Sequence, residues 1–197
     1  TGERLVRQSG VSQFLVACDC GVGLYAAEIV NGLRMTDRDL MLLCYTPHEE
    51  QATKWAPYLR ERYFTMLENS THISAVCPVD IPDAQLQAYK KIIDLADVML
   101  AVYDGDTPAA GNAEDRVLAY AESLEKPLVL LHPTELTTMC IGWPSHSAAG
   151  CCFRSPAHRP FFQLSIGSIT QKSPNCKGIP AHPPRFSCAY PAVDIPD

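Results

Sequence analysis

The chain has 197 residues, 47% of them hydrophobic and 19% charged; that is one domain with an appendage and enough apolar side chains for a core, so general disorder is excluded. A formal net charge of −6 excludes non-specific duplex binding through a basic face, which needs clustered Lys and Arg. No apolar run of about 18 residues and no basic-then-apolar leader is visible, so no membrane partner is expected and the expected location is cytoplasmic.

In chain order, residues 12–17 (SQFLVA) form an apolar run with aromatic and β-branched members and predict a strand. Gly21 and Gly23 follow, and residues 22–33 carry Leu24, Ala27, Ile29 and Val30 near one helical stripe. Residues 40–45 (LMLLCY) predict a second strand, ended by Thr46-Pro47. Residues 49–67 read as a long helix interrupted at Pro57, with Trp55, Leu59, Tyr63 and Leu67 repeating every four residues. Residues 72–76 predict a third strand, and 83–95 a helix capped by Asp83 after Pro82. Residues 98–103 (VMLAVY) and 128–131 (LVLL) predict two more strands, separated by a helix over 111–124.

Apolar strands alternating with helices are buried on both faces, which means a mainly parallel sheet covered on each side. Right-handed crossovers make this a Rossmann-like three-layer α/β domain. Ligands of such sheets bind outside the carboxyl ends of the strands, so function is expected in the loops at 18–23, 46–48, 77–81 and 104–112.

The composition shifts near residue 134. Nine of the 16 prolines, but only three of the 22 acidic residues, lie in 134–197. Residues 1–133 are therefore read as the domain, and 134–197 as an irregular Pro- and Cys-rich extension that adds little to the core. Within it, only residues 160–169 look able to form a short strand. Cys18, Cys44 and Cys77 sit in or beside apolar strands and are expected to be buried, reduced thiols. A zinc reading of the later cysteines with His146, His158 and His182 is weak. It lacks any C-x-x-C pair, and adjacent Cys151 and Cys152 do not easily chelate one ion. With no P-loop, Ser-His-Asp order or metal motif, no cofactor is called for.

Two stretches occur together with a characteristic order. One is Phe14-Leu15-Val16-Ala17-Cys18-Asp19-Cys20-Gly21-Val22-Gly23-Leu24-Tyr25-Ala26-Ala27-Glu28. The other is Asp97-Val98-Met99-Leu100-Ala101-Val102-Tyr103-Asp104-Gly105, continued by Tyr120-Ala121 and Lys126-Pro127. Gln51-Ala52, Trp55 and Arg62-Tyr63 lie between them. Over residues 5–133 this pattern resembles the YpsA-like branch of the SLOG superfamily, Rossmann-like proteins related to lysine decarboxylase-like phosphoribohydrolases and DNA-processing protein A. The family's first loop usually reads like S-G-x-A-x-G-V-D. Here Ala17 replaces its first Gly and Gly23 its Asp. Its second loop is usually glycine-rich, whereas this chain has Ala109-Ala110-Gly111-Asn112-Ala113. A common Asn falls near Tyr89, which cannot make the same hydrogen bonds. Thr1-Gly2-Glu3-Arg4 mimics the family's Thr-Gly-x-Arg loop without the strand that usually precedes it.

The expected crevice is formed by residues 18–23 and 104–112. Asp19, Gly21, Gly23, Glu28, Asp104, Gly105, Gly111 and Asn112 are its candidate ligand-binding residues. Glycines let the backbone approach a ligand, and helix-starting N–H groups favour an anion. Asp19 suits a ribose hydroxyl, or is simply a turn residue. The resemblance implies that Glu28 faces the pocket; its helix position alone would leave it solvated. Glu114 is the candidate catalytic carboxylate, in the place glutamate holds in the phosphoribohydrolase relatives. Acidic residues in a first helical turn are also what the dipole favours. Trp55, Tyr63 and Tyr89 read as core aromatics, and His48 and His132 as solvated loop residues. The leading functional reading is a sensor-like module binding a nucleotide derivative or small phosphorylated ligand. The alternatives are a nucleotide N-glycosidase or phosphoribohydrolase, and a degenerate family member with a structural or interaction role. The sequence leaves catalysis and homo-oligomer formation open.

Overall fold

The computed structural model describes residues 11–103 and 113–142, with the side chains of Ala113 and Glu114 left out, and the backbone of 161–164. Seven strands form one sheet: β1 (Gln13–Val16), β2 (Met41–Thr46), β3 (His72–Ala75), β4 (Val98–Val102), β5 (Leu128–Leu131), β6 (Thr138–Ile141) and β7 (Phe161–Leu164). Among the described residues four α-helices pack with it: α1 (Val22–Arg34), α2 (Pro57–Glu68), α3 (Ala84–Leu95) and α4 (Ala113–Ser123). The sheet order is β3-β2-β1-β7-β4-β5-β6. Every pairing is parallel except β5 with β6. The Rossmann-like α/β architecture read from the sequence is the observed one, and all five strands expected before residue 134 are present.

The core has a face on each side of the sheet. On one, α1 and α2 bring Leu24, Ala27, Leu59, Tyr63 and Met66 onto Phe14, Val16, Leu42, Val98 and Leu100. On the other, Ala88 and Ile92 of α3 cover Leu15 and Ala17, while Leu86 and Ile93 join Val117 and Ala121 of α4 over Met99 and Leu128. Each fully buried side chain of this kind contributes about 1.5–3 kcal/mol relative to exposure.

Three local readings are corrected. The long helix over 49–67 is two elements, a 3-10 turn at Gln51–Lys54 and then α2, because Trp55 is extended and Pro57 starts the second. Proline favours a first helical position and opposes an interior one. Asp83 does stand at the start of α3, but its φ of 64° is left-handed and its side chain makes no cap hydrogen bond. Its carboxylate pairs instead with Arg116 of α4 at 3.1 and 3.3 Å, and that guanidinium holds it below the usual carboxylate range. The strands are also not all buried on both faces. β3 lies at an edge of the sheet, and Ile73 is 49% exposed.

The largest difference concerns the extension. Thr138–Ile141 forms the antiparallel edge β6, and Phe161–Leu164, inside the segment judged able to form a strand, lies at the sheet's centre between β1 and β4. Local periodicity cannot show this, because a four-residue run far from its partners carries no mark of its pairing. Cys151, Cys152, Cys176, Cys188, His146, His158 and His182 lie outside the described residues.

Cys18, Cys44 and Cys77 are free and buried. Burial, with the neighbouring Cys44 thiol and the Asp19 carboxylate adding to it, pushes the Cys18 thiol well above its ordinary value, so little reactive thiolate forms at neutral pH. In native protein all three should resist a thiol reagent until unfolding. Rapid native labelling, read by mass spectrometry of the peptides, would contradict the packing.

Candidate functional site

The loop after β1 begins with a strained residue. Cys18 has a φ of 53°, a left-handed conformation that costs a non-glycine residue about 1–2 kcal/mol. The position where glycine would be at ease is thus Cys18, not the Ala17 singled out by the family comparison. Two glutamines brace this turn. Gln85 donates from Nε2 to the Ala17 carbonyl at 3.2 Å, and Gln51 to the Cys18 carbonyl at 3.0 Å. Gln51 also meets the hydroxyl of Tyr63, whose burial pushes its pKa up to about 12.

Asp19 closes the loop. Its Oδ1 accepts the Gly21 N–H at 2.8 Å and the Gly23 N–H at 3.2 Å. Its Oδ2 accepts the Tyr89 hydroxyl at 3.0 Å. The first N–H groups of α1 would otherwise be unpaired, so an internal carboxylate fills the anion position of this helix. Burial raises the Asp19 pKa, and these three hydrogen bonds oppose the rise. Glycine at 23 is what lets the carboxylate come this close, because a Cβ there would stand 2.3 Å from Asp19 Oδ2. The turn reading of Asp19 is the one the geometry displays, and Gly21 and Gly23 lend their N–H groups to it.

Glu28 is half-buried and engaged. Arg62 of α2 holds it by two hydrogen bonds, Nε to Oε1 at 2.8 Å and Nη2 to Oε2 at 2.7 Å. The guanidinium lies 4.5 Å from the centroid of the Tyr25 ring, and its pKa is raised chiefly by the Glu28 hydrogen bonds. With Asn31, Glu61, Thr65, Met66 and Asn69, this pair lines an open cleft of about 320 Å³ between α1 and α2. Glu28 therefore ties two helices together, and the first loop and the cleft are separate features.

Asp104, Gly105, Gly111 and Asn112 lie outside the described residues, and Glu114 is described only as backbone in the first turn of α4. Arg116, the nearby cation, is engaged by Asp83. His48 is not simply solvated: its side chain is 13% exposed and its Nε2 lies 3.5 Å from an Asp80 oxygen. His132 accepts the Glu135 N–H at Nδ1, at 3.0 Å. Trp55 and Tyr63 are core aromatics packed edge to face at 5.1 Å. Tyr89, expected to be a core aromatic, packs on both cores around α3 and also holds Asp19. Sequence reasoning missed Gln85 and the reach of Tyr89 because both act across the fold, 68 and 70 residues from their partners. Among the described residues no helix is long and apolar enough to cross a membrane.

The first loop follows β1 and so lies at the carboxyl edge of the parallel sheet. The curated relatives found by sequence are UPF0398 proteins. One from Halalkalibacterium halodurans is 32% identical over 106 residues, covering 52% of this chain and 56% of the relative. One from Bacillus cereus strain B4264 is 29% identical over 105 residues, covering 52% and 57%; one from Bacillus thuringiensis strain Al Hakam is equally similar over the same shares. The chain thus spans a little over half the length of these relatives. The profile described as the YspA SLOG family matches residues 3–136, which is most of the chain and includes β1 to β5. The match covers more than half of the chain, and the protein belongs to the YspA SLOG family.

Proposed function

We propose that the carboxyl edge of the sheet binds a small nucleotide-derived or phosphorylated ligand, in the manner of a sensor. The observation that carries this reading is topological. β2 and β3 extend the sheet on the β1 side, and β5 and β6 on the β4 side. The loops after β1 and β4 therefore flank the point where strand order reverses, the usual crevice of an open α/β sheet. Asp19 refines the reading. Because its carboxylate already fills the α1 anion position, a ligand phosphate belongs at the start of α4, and the first loop offers a rigid wall suited to hydroxyl groups.

The test is thermal-shift screening against nucleoside monophosphates, sugar phosphates and free nucleosides. A genuine ligand stabilises by about 2.7 kcal/mol at a hundredfold excess over Kd, or about 5–10 °C in a domain of this size. The increase should persist in Glu114→Gln and shrink in Gly111→Asp, which puts a carboxylate where the phosphate would lie. No response to any member of the panel would defeat the proposal and leave the interaction role. Release of a free base from the bound nucleotide, lost in Glu114→Gln, would favour the phosphoribohydrolase reading.

A further inference from the structure

Asp83 and Arg116 meet at the carboxyl edge of the sheet. α3 follows β3 and α4 follows β4, so both helices begin where a parallel strand has ended. Asp83 stands at the start of α3, and Arg116 lies in the first turn of α4. The two helices share one face of the sheet. Ala88 and Ile92 of α3 cover Leu15 of β1 and Ala17 just beyond it. Val117 and Ala121 of α4 pack with Met99 of β4 and Leu128 of β5. The seam between α3 and α4 therefore runs along the sheet's centre, where β7 lies between β1 and β4. The Asp83–Arg116 pair closes the carboxyl-edge end of that seam. Gln85 and Tyr89, in the first two turns of the same α3, hold the first loop, so the pair and that loop border one place.

We propose that Arg116 is the residue that takes the ligand's phosphate, and that Asp83 is its resident counter-ion, which the phosphate displaces. This assignment rests on the ligand reading above and names the residue that recognises the anion. The pair suits exchange. Its side chains are 47% and 51% exposed, so separating them leaves no charge buried without a partner, and an exposed pair of this kind adds little to stability. Asp83 makes no cap hydrogen bond with α3; its carboxylate serves Arg116 instead. The planar fork of arginine matches a phosphate as it matches a carboxylate, and a phosphate monoester brings more charge, about −1.5 to −2 at neutral pH. Lys90 also acts on Asp83, so the released carboxylate keeps a neighbouring cation. Arg34 and Arg62 are committed elsewhere, the first to the Leu40 and Asn69 carbonyls and the second to Glu28.

Calorimetry and thermal shift on wild type, Asp83→Asn, Arg116→Gln, Arg116→Lys and the Asp83→Asn/Arg116→Gln double variant decide it. The probes are adenosine, guanosine, cytidine and uridine monophosphates, the matching nucleosides and inorganic phosphate. Asp83→Asn frees the guanidinium and should tighten phosphate-bearing probes about two- to fivefold. Arg116→Gln should weaken them about tenfold, Arg116→Lys should recover part of that loss, and the double variant should behave like Arg116→Gln alone. Nucleosides carry no phosphate, so any affinity for them should be the same in every protein. Nucleotide binding that is equal in wild type, Asp83→Asn and Arg116→Gln overturns the assignment and leaves the ligand reading standing. So does a loss in Arg116→Gln that is as large for nucleosides as for nucleotides, since that marks a packing role. No response to any probe in any of the proteins overturns both.

Discussion

Asp19→Ala should lower stability by about 2–4 kcal/mol, while Asp19→Asn should change it by less than about 1 kcal/mol. Alanine strands the Gly21 and Gly23 N–H groups that the carboxylate now satisfies and removes the acceptor of the Tyr89 hydroxyl. A buried donor left unpaired costs about 1–3 kcal/mol. Asparagine keeps an acceptor for the two N–H groups, and the tyrosine hydroxyl can turn to accept from its amide. It also removes the charge whose burial raises the Asp19 pKa above 3.8. A carboxyl with a raised folded-state pKa favours the folded state most when protonated, below its unfolded value, and that gain is lost as pH rises through the folded value. Wild type should therefore lose stability relative to Asp19→Asn as pH rises from 3.8 through the raised folded-state value. Urea unfolding at several pH values measures both effects. Equal losses in the two variants, or a difference that grows in the opposite direction with pH, would show that Asp19 is not held this way.

Gly23→Ala should cost about 1–3 kcal/mol in the wild-type background and stabilise by up to about 1 kcal/mol once Asp19 is alanine. The new methyl would meet Asp19 Oδ2 at 2.3 Å and Cγ at 2.9 Å. That side chain is held by three hydrogen bonds and cannot swing aside without losing them. Overpacking against a fixed group has this cost. With the carboxylate gone, the three atoms nearest the new methyl are removed, and alanine brings its helix propensity, up to about 1 kcal/mol over glycine. The effect of the substitution thus changes sign between backgrounds. A double-mutant cycle by urea unfolding reads it directly, and additive losses would refute the close approach.

Sheet and helices were legible because their signals are local. Residues 12–17, 40–45, 72–76, 98–103 and 128–131 are short apolar runs between turn residues, and each holds a strand of the parallel sheet. Pro57 marked the break between the 3-10 turn and α2 for the same reason, since its missing N–H acts within one turn. The first loop was legible as a place but not as a device. Glycines at 21 and 23 signal close approach, yet nothing in the sequence says that the approaching group is Asp19 rather than a ligand. The Glu28–Arg62 pair was hidden likewise. The two residues lie 34 positions apart and meet because α1 and α2 pack side by side.

The sequence by itself determined the α/β class and the order of strands and α-helices through residue 131. Those follow from hydrophobic period, turn chemistry and the handedness of crossovers, which are properties of neighbouring residues. Tertiary structure alone decided that Tyr89 and Gln85 reach the first loop, that Arg62 takes Glu28, and that Phe161–Leu164 completes the centre of the sheet. Each of these depends on which segments the fold brings within a few ångströms. A side chain's preference for a partner is short-ranged and carries no address, so chain separation of 30 to 150 residues leaves no trace in the local pattern.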